Sequence, residues 1–306
     1  MRNKFLSYIR DVRRYSPRTC EIYAGVLDEF VRFCEGSEDF AVTLSINSVR
    51  AYEVYLIDKM KLSPRTVSQH LSVLSGFSRY LMKEGVLQSN PVRLVKRPKA
   101  EKRLPLFYKD KSMEAYFEST KGDPEFGSYE QKLKRLIVSM LASCGLRRAE
   151  LISLNVGSVD FSRQVLRVRG KGDKMREIPL VPSLCEEISL YLSASSSLND
   201  DAYEQDAPLL RTRKGGRLYP VFVDRAVKES LAGVPDITVR KSPHVLRHTL
   251  ATELLSDGAD LNSIKELLGH SSLAATQVYT HNTIERLQSV YKNAHPRAKN
   301  GGKNGD

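Results

Sequence analysis

The chain has 306 residues, 41% hydrophobic and 27% charged, enough apolar surface for a sizeable core and a length that suggests two domains. A disulfide mini-protein and a mainly disordered chain are excluded. The 48 Lys and Arg against 36 Asp and Glu leave a formal charge of +12, which favours a polyanionic partner such as nucleic acid.

Met1 to Asp11 lack the apolar stretch of a secretory signal, so a cytoplasmic location is expected. Two segments then open alike, Ser16-Pro17-Arg18-Thr19 and Ser63-Pro64-Arg65-Thr66, each with Ser at the N-cap and Pro at the first helical position, where its missing N–H costs nothing. Ile22, Val26, Phe30 and Val31 give the first helix one apolar stripe; Val67, Leu71, Leu74, Phe77 and Leu81 do the same for the second, which is expected to stop at Gly85. The shared tetrapeptide is read as shared cap chemistry and not as an internal repeat. The stretch from Asn90 to Phe107 is rich in Pro and basic residues and suits an extended connector. The expected division is a basic helical domain over 1–97, a basic linker over 98–107, a larger domain over 108–294 and a flexible tail over 295–306.

In the larger domain, Gln131 to Gly145 reads as a helix. The apolar-rich run Leu136 to Leu146 falls short of the ~20 residues that cross a bilayer, so no membrane segment is expected. The period then changes. Val165–Arg169 and Met175–Val181 alternate on either side of a Gly170–Lys174 turn, the pattern of a β-hairpin. Ser193 to Pro208 reads as a polar surface loop, and helices return from Pro243, punctuated by Gly258 and Gly269. The expected fold is mainly α with a small antiparallel β-sheet. Cys20, Cys34, Cys144 and Cys185 show no C-x-x-C spacing, so neither a disulfide framework nor a thiolate zinc site is expected.

Ser242-Pro243 starts a helix that places His244, Arg247 and His248 at i, i+3 and i+4, a face suited to an anion. The two histidines could chelate zinc by spacing, but no acidic residue stands between them as H-E-x-x-H requires, and no metal is expected. Glu150 lies three residues after Arg147 and two after Arg148, where it could orient either guanidinium. Lys171 sits between Gly170 and Gly172, where its ammonium has room to approach a ligand closely. His270 follows a helix-terminating Gly269, and Tyr279 comes nine residues later.

Taken together, Cys144-Gly145-Leu146-Arg147-Arg148-Ala149-Glu150, Gly170-Lys171-Gly172, His244-Val245-Leu246-Arg247-His248, Leu267-Leu268-Gly269-His270 and Val278-Tyr279-Thr280-His281 resemble, in order and spacing, the active-site boxes of tyrosine site-specific recombinases of the phage-integrase family. The resemblance is closest to the bacterial XerC/XerD type, judging by Gly258-Ala259-Asp260-Leu261, Tyr279-Thr280-His281 and His295-Pro296-Arg297-Ala298. It implies an N-terminal helical core-binding domain followed by a tyrosine-recombinase catalytic domain.

The resemblance implies roles as well. Tyr279 attacks the scissile phosphate to form a 3′-phosphotyrosyl link, and Arg147 and Arg247 clamp the non-bridging oxygens. Lys171 protonates the departing 5′-oxygen, His244 accepts the tyrosine proton or holds the phosphate, and His270 donates to a non-bridging oxygen. Glu150 and His248 support these groups. No cofactor, metal or ATP is expected. The implied partner is double-stranded DNA with paired inverted-repeat half-sites, bound by a homo- or hetero-tetramer in which the helix around Ile284 to Asn293 docks on a neighbour. Arg18, Arg65, Lys174 and Arg176 are candidate contacts to the DNA backbone.

Leu250 and Glu253 stand where an aromatic residue and a His are common in this group, and Ala274-Ala275-Thr276 replaces a more hydroxyl-rich turn. These departures leave the reaction class alone and leave open whether the role is chromosome-dimer resolution, inversion or mobile-element integration. A monomeric topoisomerase IB-like enzyme and a non-catalytic DNA-binding regulator are the competing readings. The complete set Arg147, Lys171, His244, Arg247, His270 and Tyr279 speaks against the regulator.

Overall fold

The computed structural model describes residues 1–99, 106–170, 173–198 and 200–269. Lys171, His270, Tyr279, the Ala274–Thr276 turn, the Ile284–Asn293 segment and the expected tail lie outside the described residues. The chain divides into two compact units, Met1–Arg103 and Leu104–Asp306, each with its own hydrophobic core.

The first unit is helical: α1 (Arg2–Ser7) runs into a π-helical turn (Tyr8–Val12), followed by α2 (Pro17–Phe33), α3 (Phe40–Thr43), α4 (Ile46–Asp58) and α5 (Pro64–Lys83), then a 3₁₀ turn (Pro91–Leu94). The two Ser-Pro starts are realised as expected: the Ser16 hydroxyl accepts from the Thr19 N–H at 3.2 Å and that of Ser63 from Thr66 at 3.3 Å. The helices pack around aromatic rings, with Phe77 meeting Phe5 at 5.0 Å and Phe40 edge-on at 4.8 Å between centroids. Asn90 closes the unit, its amide donating to the Ser75 carbonyl at 3.1 Å while its own oxygen caps the 3₁₀ turn at the Val92 N–H.

The second unit contains α6 (Asp110–Ser119), α7 (Asp123–Phe126), α8 (Tyr129–Cys144), α9 (Arg148–Ser153), a short 3₁₀ turn (Val156–Ser158), β1 (Val159–Asp160), β2 (Val165–Arg169), β3 (Met175–Pro179), α10 (Pro182–Ser196), α11 (Pro220–Ser230), α12 (Pro243–Ser256) and α13 (Leu261–Leu268). Helix α8 is central. Ten of its sixteen residues are buried, on every face, because α10, α11 and α12 all pack on it. A Ser128–Gln131 capping box starts it: the Gln131 N–H donates to the Ser128 hydroxyl, and the Gln131 amide oxygen accepts from the Ser128 N–H. Tyr108 straps the start of the unit to α12, its N–H donating to Thr249 and its hydroxyl joining the Arg240 carbonyl to the Ser242 N–H.

The hairpin forms as expected and gains a third strand, giving an antiparallel sheet in the order β1-β2-β3. Leu166 pairs with Ile178 and Val168 with Arg176, so these four share the buried face, while Arg167 and Glu177 share the outer one. The Ser193–Pro208 expectation is corrected. Helix α10 continues to Ser196, and the chain then runs beside Leu154–Gly157, where the Val156 and Gly157 N–H groups donate to the Ala207 and Gln205 carbonyls, both at 2.9 Å. Ala202 and Ala207 are buried there, and Asp201 pairs with the buried Arg211.

Candidate active site

Helix α8 ends at Gly145 in the left-handed conformation, φ 56°. A Cβ at this position would lie 2.6 Å from Leu268 Cδ2 and 2.9 Å from Leu250 Cδ2, so both the turn and the packing require glycine. The turn delivers Arg147 to the N-cap of α9, and Glu150, one turn on, reaches back to the Arg147 N–H at 2.9 Å.

Glu150 is buried and gathers guanidinium groups from three elements. Its Oε1 accepts from Arg147 Nη1 at 2.7 Å and Arg176 Nη1 at 3.1 Å, and its Oε2 accepts from Arg176 Nη2 at 2.7 Å. Arg247 Nη1, from α12, stands 4.0 Å from Oε2. Burial alone would raise the carboxyl pKa, but the Arg176 hydrogen bonds and charge, joined by the Arg147 donors, hold it below the usual range. Arg247 is pushed the other way, down to about 10, by burial and by the neighbouring Arg147, and it stays charged at neutral pH.

The same three arginines meet the C-terminal end of α13. Arg176 Nε donates to the Leu267 carbonyl at 3.0 Å, Arg247 Nη2 to the Leu268 carbonyl, and Arg147 Nη2 to the Gly269 carbonyl at 2.9 Å. Arg247 Nη1 also donates to the Gly145 carbonyl. Each guanidinium thus takes one carbonyl that the helix cannot satisfy itself, at the negative end of its dipole. Residue Arg147 is about one-third exposed and Arg247 is nearly closed off, so the cluster opens to solvent on the Arg147 side.

His244 and His248 lie exposed on α12, while Arg247, between them in sequence, is buried. Partial burial, and then the charges of Arg148, His248 and Arg247, lower the His244 pKa and favour its neutral form. Arg148 turns away from Glu150 and pairs with Asp224 of α11. Glu150 therefore orients Arg147, one of the two arginines the spacing allowed.

Lys174 is exposed in the hairpin turn, which its carbonyl closes by accepting from the Gly170 N–H at 2.8 Å. Arg18 and Arg65 are exposed in the first unit at the starts of α2 and α5, with Arg18 paired to Glu21 at 2.9 Å. Arg176 is the correction among the candidate DNA contacts. It is 4% exposed and bound to Glu150, because strand alternation puts it on the face of Ile178. That parity is the signal by which its burial was readable. The pairing with Glu150 and the capture of the α13 carbonyls were not, since both join segments far apart in sequence.

Among the described residues no group of three or more His, Cys, Asp or Glu is arranged to hold a metal ion, and no helix is long and apolar enough to cross a membrane.

Residues 124–286 match the phage integrase family and residues 1–86 the N-terminal SAM-like domain of phage integrases. The tyrosine recombinase XerC of Bacillus subtilis (strain 168) is 35% identical over 305 residues, covering 96% of this chain and 95% of the relative. That of Chlorobaculum parvum is 33% identical over 316 residues, covering 96% and 94%. Among solved structures, the XerH recombinase bound to a palindromic difH substrate superposes with a TM-score of 0.68 at 20% identity, covering 95% of this chain and 84% of that one. The Tn1549 transposon integrase in complex with transposon right end DNA gives 0.67 at 16% identity, covering 94% and 97%. With matches that span both units and relatives similar from end to end, the chain belongs to the phage integrase family of tyrosine recombinases, which cut and rejoin DNA through a phosphotyrosyl intermediate.

Proposed function

We propose that this chain is a site-specific recombinase of duplex DNA in which Arg147 and Arg247 bind the scissile phosphate. The observation that carries the reading is the convergence of these two guanidinium groups, a hundred residues apart in sequence, around the single carboxylate of Glu150. Fixed donors of this kind bind the extra negative charge that develops on the non-bridging oxygens in the transition state. They supply the charge that a divalent ion supplies in other phosphoryl-transfer sites, so neither metal nor ATP enters the reaction.

In the first step the Tyr279 oxygen forms a bond to phosphorus and the bond from phosphorus to the 5′-oxygen breaks. The phenolic proton passes to neutral His244, and Lys171 gives a proton to the departing 5′-oxygen. One phosphodiester is exchanged for another, and attack by a 5′-hydroxyl from the partner duplex reverses the step. His270 donates to a non-bridging oxygen, with His248 and Glu150 supporting the clamp. The helical unit over 1–97 grips the core site, with Arg18 and Arg65 on phosphates, and Lys174 follows the hairpin to the backbone. Paired half-sites bound by four subunits fit this reading, which is supported by the palindromic substrate of the XerH complex. The reaction takes place in the cytoplasm.

The test uses nicked genomic DNA fragments carrying inverted repeats, incubated with wild type and Tyr279→Phe and resolved on a denaturing gel. Wild type is expected to give a covalent adduct that persists in chelator and is absent from Tyr279→Phe. Tight binding without an adduct on any fragment, with cell extract added to supply a partner subunit, would instead support a DNA-binding regulator. An adduct that never leads to joining of two sites would support a topoisomerase.

A further inference from the structure

Arg176 occupies a place that neither packing nor charge balance alone explains. Its guanidinium lies between two glycines: a Cβ at Gly269 would come within 3.0 Å of Arg176 Nη1 and 3.2 Å of its Cζ, and one at Gly170 within 3.4 Å of the same Nη1. Gly170 immediately precedes Lys171 in the chain, and Gly269 immediately precedes His270. The third neighbour, Glu150, carries Arg147. One buried side chain therefore bonds the carboxylate that holds Arg147 and lies beside the two glycines that precede Lys171 and His270. It is 4% exposed, and its three nitrogens are all bonded within the protein, to Glu150 and to the Leu267 carbonyl.

We propose that Arg176 is the positioning residue of this site: paired with Glu150 and seated between Gly170 and Gly269, it locks the end of α13 and the base of the hairpin turn to the guanidinium clamp. The proposal rests on the recombinase reading above for its catalytic consequence but not for its structural one. Its donors are distributed in a way only a planar fork allows. Nη1 and Nη2 bind the two oxygens of Glu150 while Nε binds the Leu267 carbonyl, so the carboxylate and the helix end are fixed relative to each other by one rigid group. A lysine in its place keeps the charge beside Glu150 but cannot make the three bonds at once.

Arg176→Lys separates these contributions. Hydrogen exchange read by mass spectrometry, without DNA, is expected to show faster exchange across Leu261–Gly269 while the interior of α8 stays as protected as in wild type. On a nicked duplex carrying the repeat captured by the wild-type chain, binding affinity is expected to stay within about threefold. The single-turnover rate of adduct formation is expected to fall by roughly 100-fold, the penalty for misplacing catalytic groups by about an ångström. Arg176→Gln, which keeps a planar amide but loses the fork that joins Glu150 to the Leu267 carbonyl, is the second variant and should give the same split if Arg176→Lys does not fold. Unchanged exchange over Leu261–Gly269, wild-type cleavage by Arg176→Lys, or rate and affinity falling together would each overturn the proposal. Absence of an adduct from wild type would fault the recombinase reading alone, since the exchange experiment still decides whether Arg176 anchors α13.

Discussion

Glu253 shows how one side chain can set a pH dependence. Burial in α12, followed by the nearby carboxylates of Asp110, Asp257 and Glu114, pushes its carboxyl up to about 7. The folded protein therefore holds this proton more tightly than the unfolded chain, whose Glu titrates near 4.5. The contribution is fully present below the unfolded value and is lost as pH rises through the folded one, between about 4.5 and 7. Glu253→Gln is expected to be more stable than wild type by about 1–3 kcal/mol at pH 8 and equal to it at pH 4, checked by urea denaturation at both values. A constant difference at the two pH values would refute the assignment. The same scale explains what could be read in advance about the clamp. Arg147, Arg247 and Glu150 were legible through the resemblance of their segments to the family's active-site boxes, local spacing adding only that Glu150 could reach Arg147 or Arg148. The sequence offers Arg176 as a contact to DNA because a charged residue beside a turn suggests solvent, although its parity with Ile178 places it inward.

At the scale of elements, Gly145 does more than end α8. The left-handed turn, the contact with Leu268 and the carbonyl bound by Arg247 all meet there. Gly145→Ala is expected to cost about 2–4 kcal/mol through backbone strain and overpacking, against about 1 kcal/mol for Ser128→Ala at the other end of the same helix. Chemical denaturation of the two variants checks the order, and equal costs would mean that the Leu268 contact is readily relieved. Helices with a local start signal were readable, α2 and α5 from Ser-Pro and the Gln131–Gly145 pattern from its apolar period. Helix α4 was not, since exposed Val54 and Ile57 blur the stripe formed by Val49, Tyr52 and Leu56. Strand β1 is two residues long and exists only by pairing with β2, so no period could reveal it. The polar run after α10 reads as a solvated loop because its anchors are small residues, Ala202 and Ala207, whose burial composition does not signal.

At the scale of the molecule, the two cores share no residue, so each unit has its own cooperative interior. Scanning calorimetry is expected to resolve two transitions, with a calorimetric enthalpy above the van't Hoff value; a single two-state peak would show that the units melt as one. The larger unit also carries a conflict in its interior. Three guanidinium groups surround one carboxylate, and the negative end of α13 offsets only part of the excess. Without DNA the like charges repel one another, and on the function proposed above a phosphate bound by Arg147 and Arg247 relieves them. If that clamp serves the reaction as proposed, substitutions that quiet this repulsion would harden the fold and dull the catalyst, and the reaction would then keep the chain away from its most stable sequence.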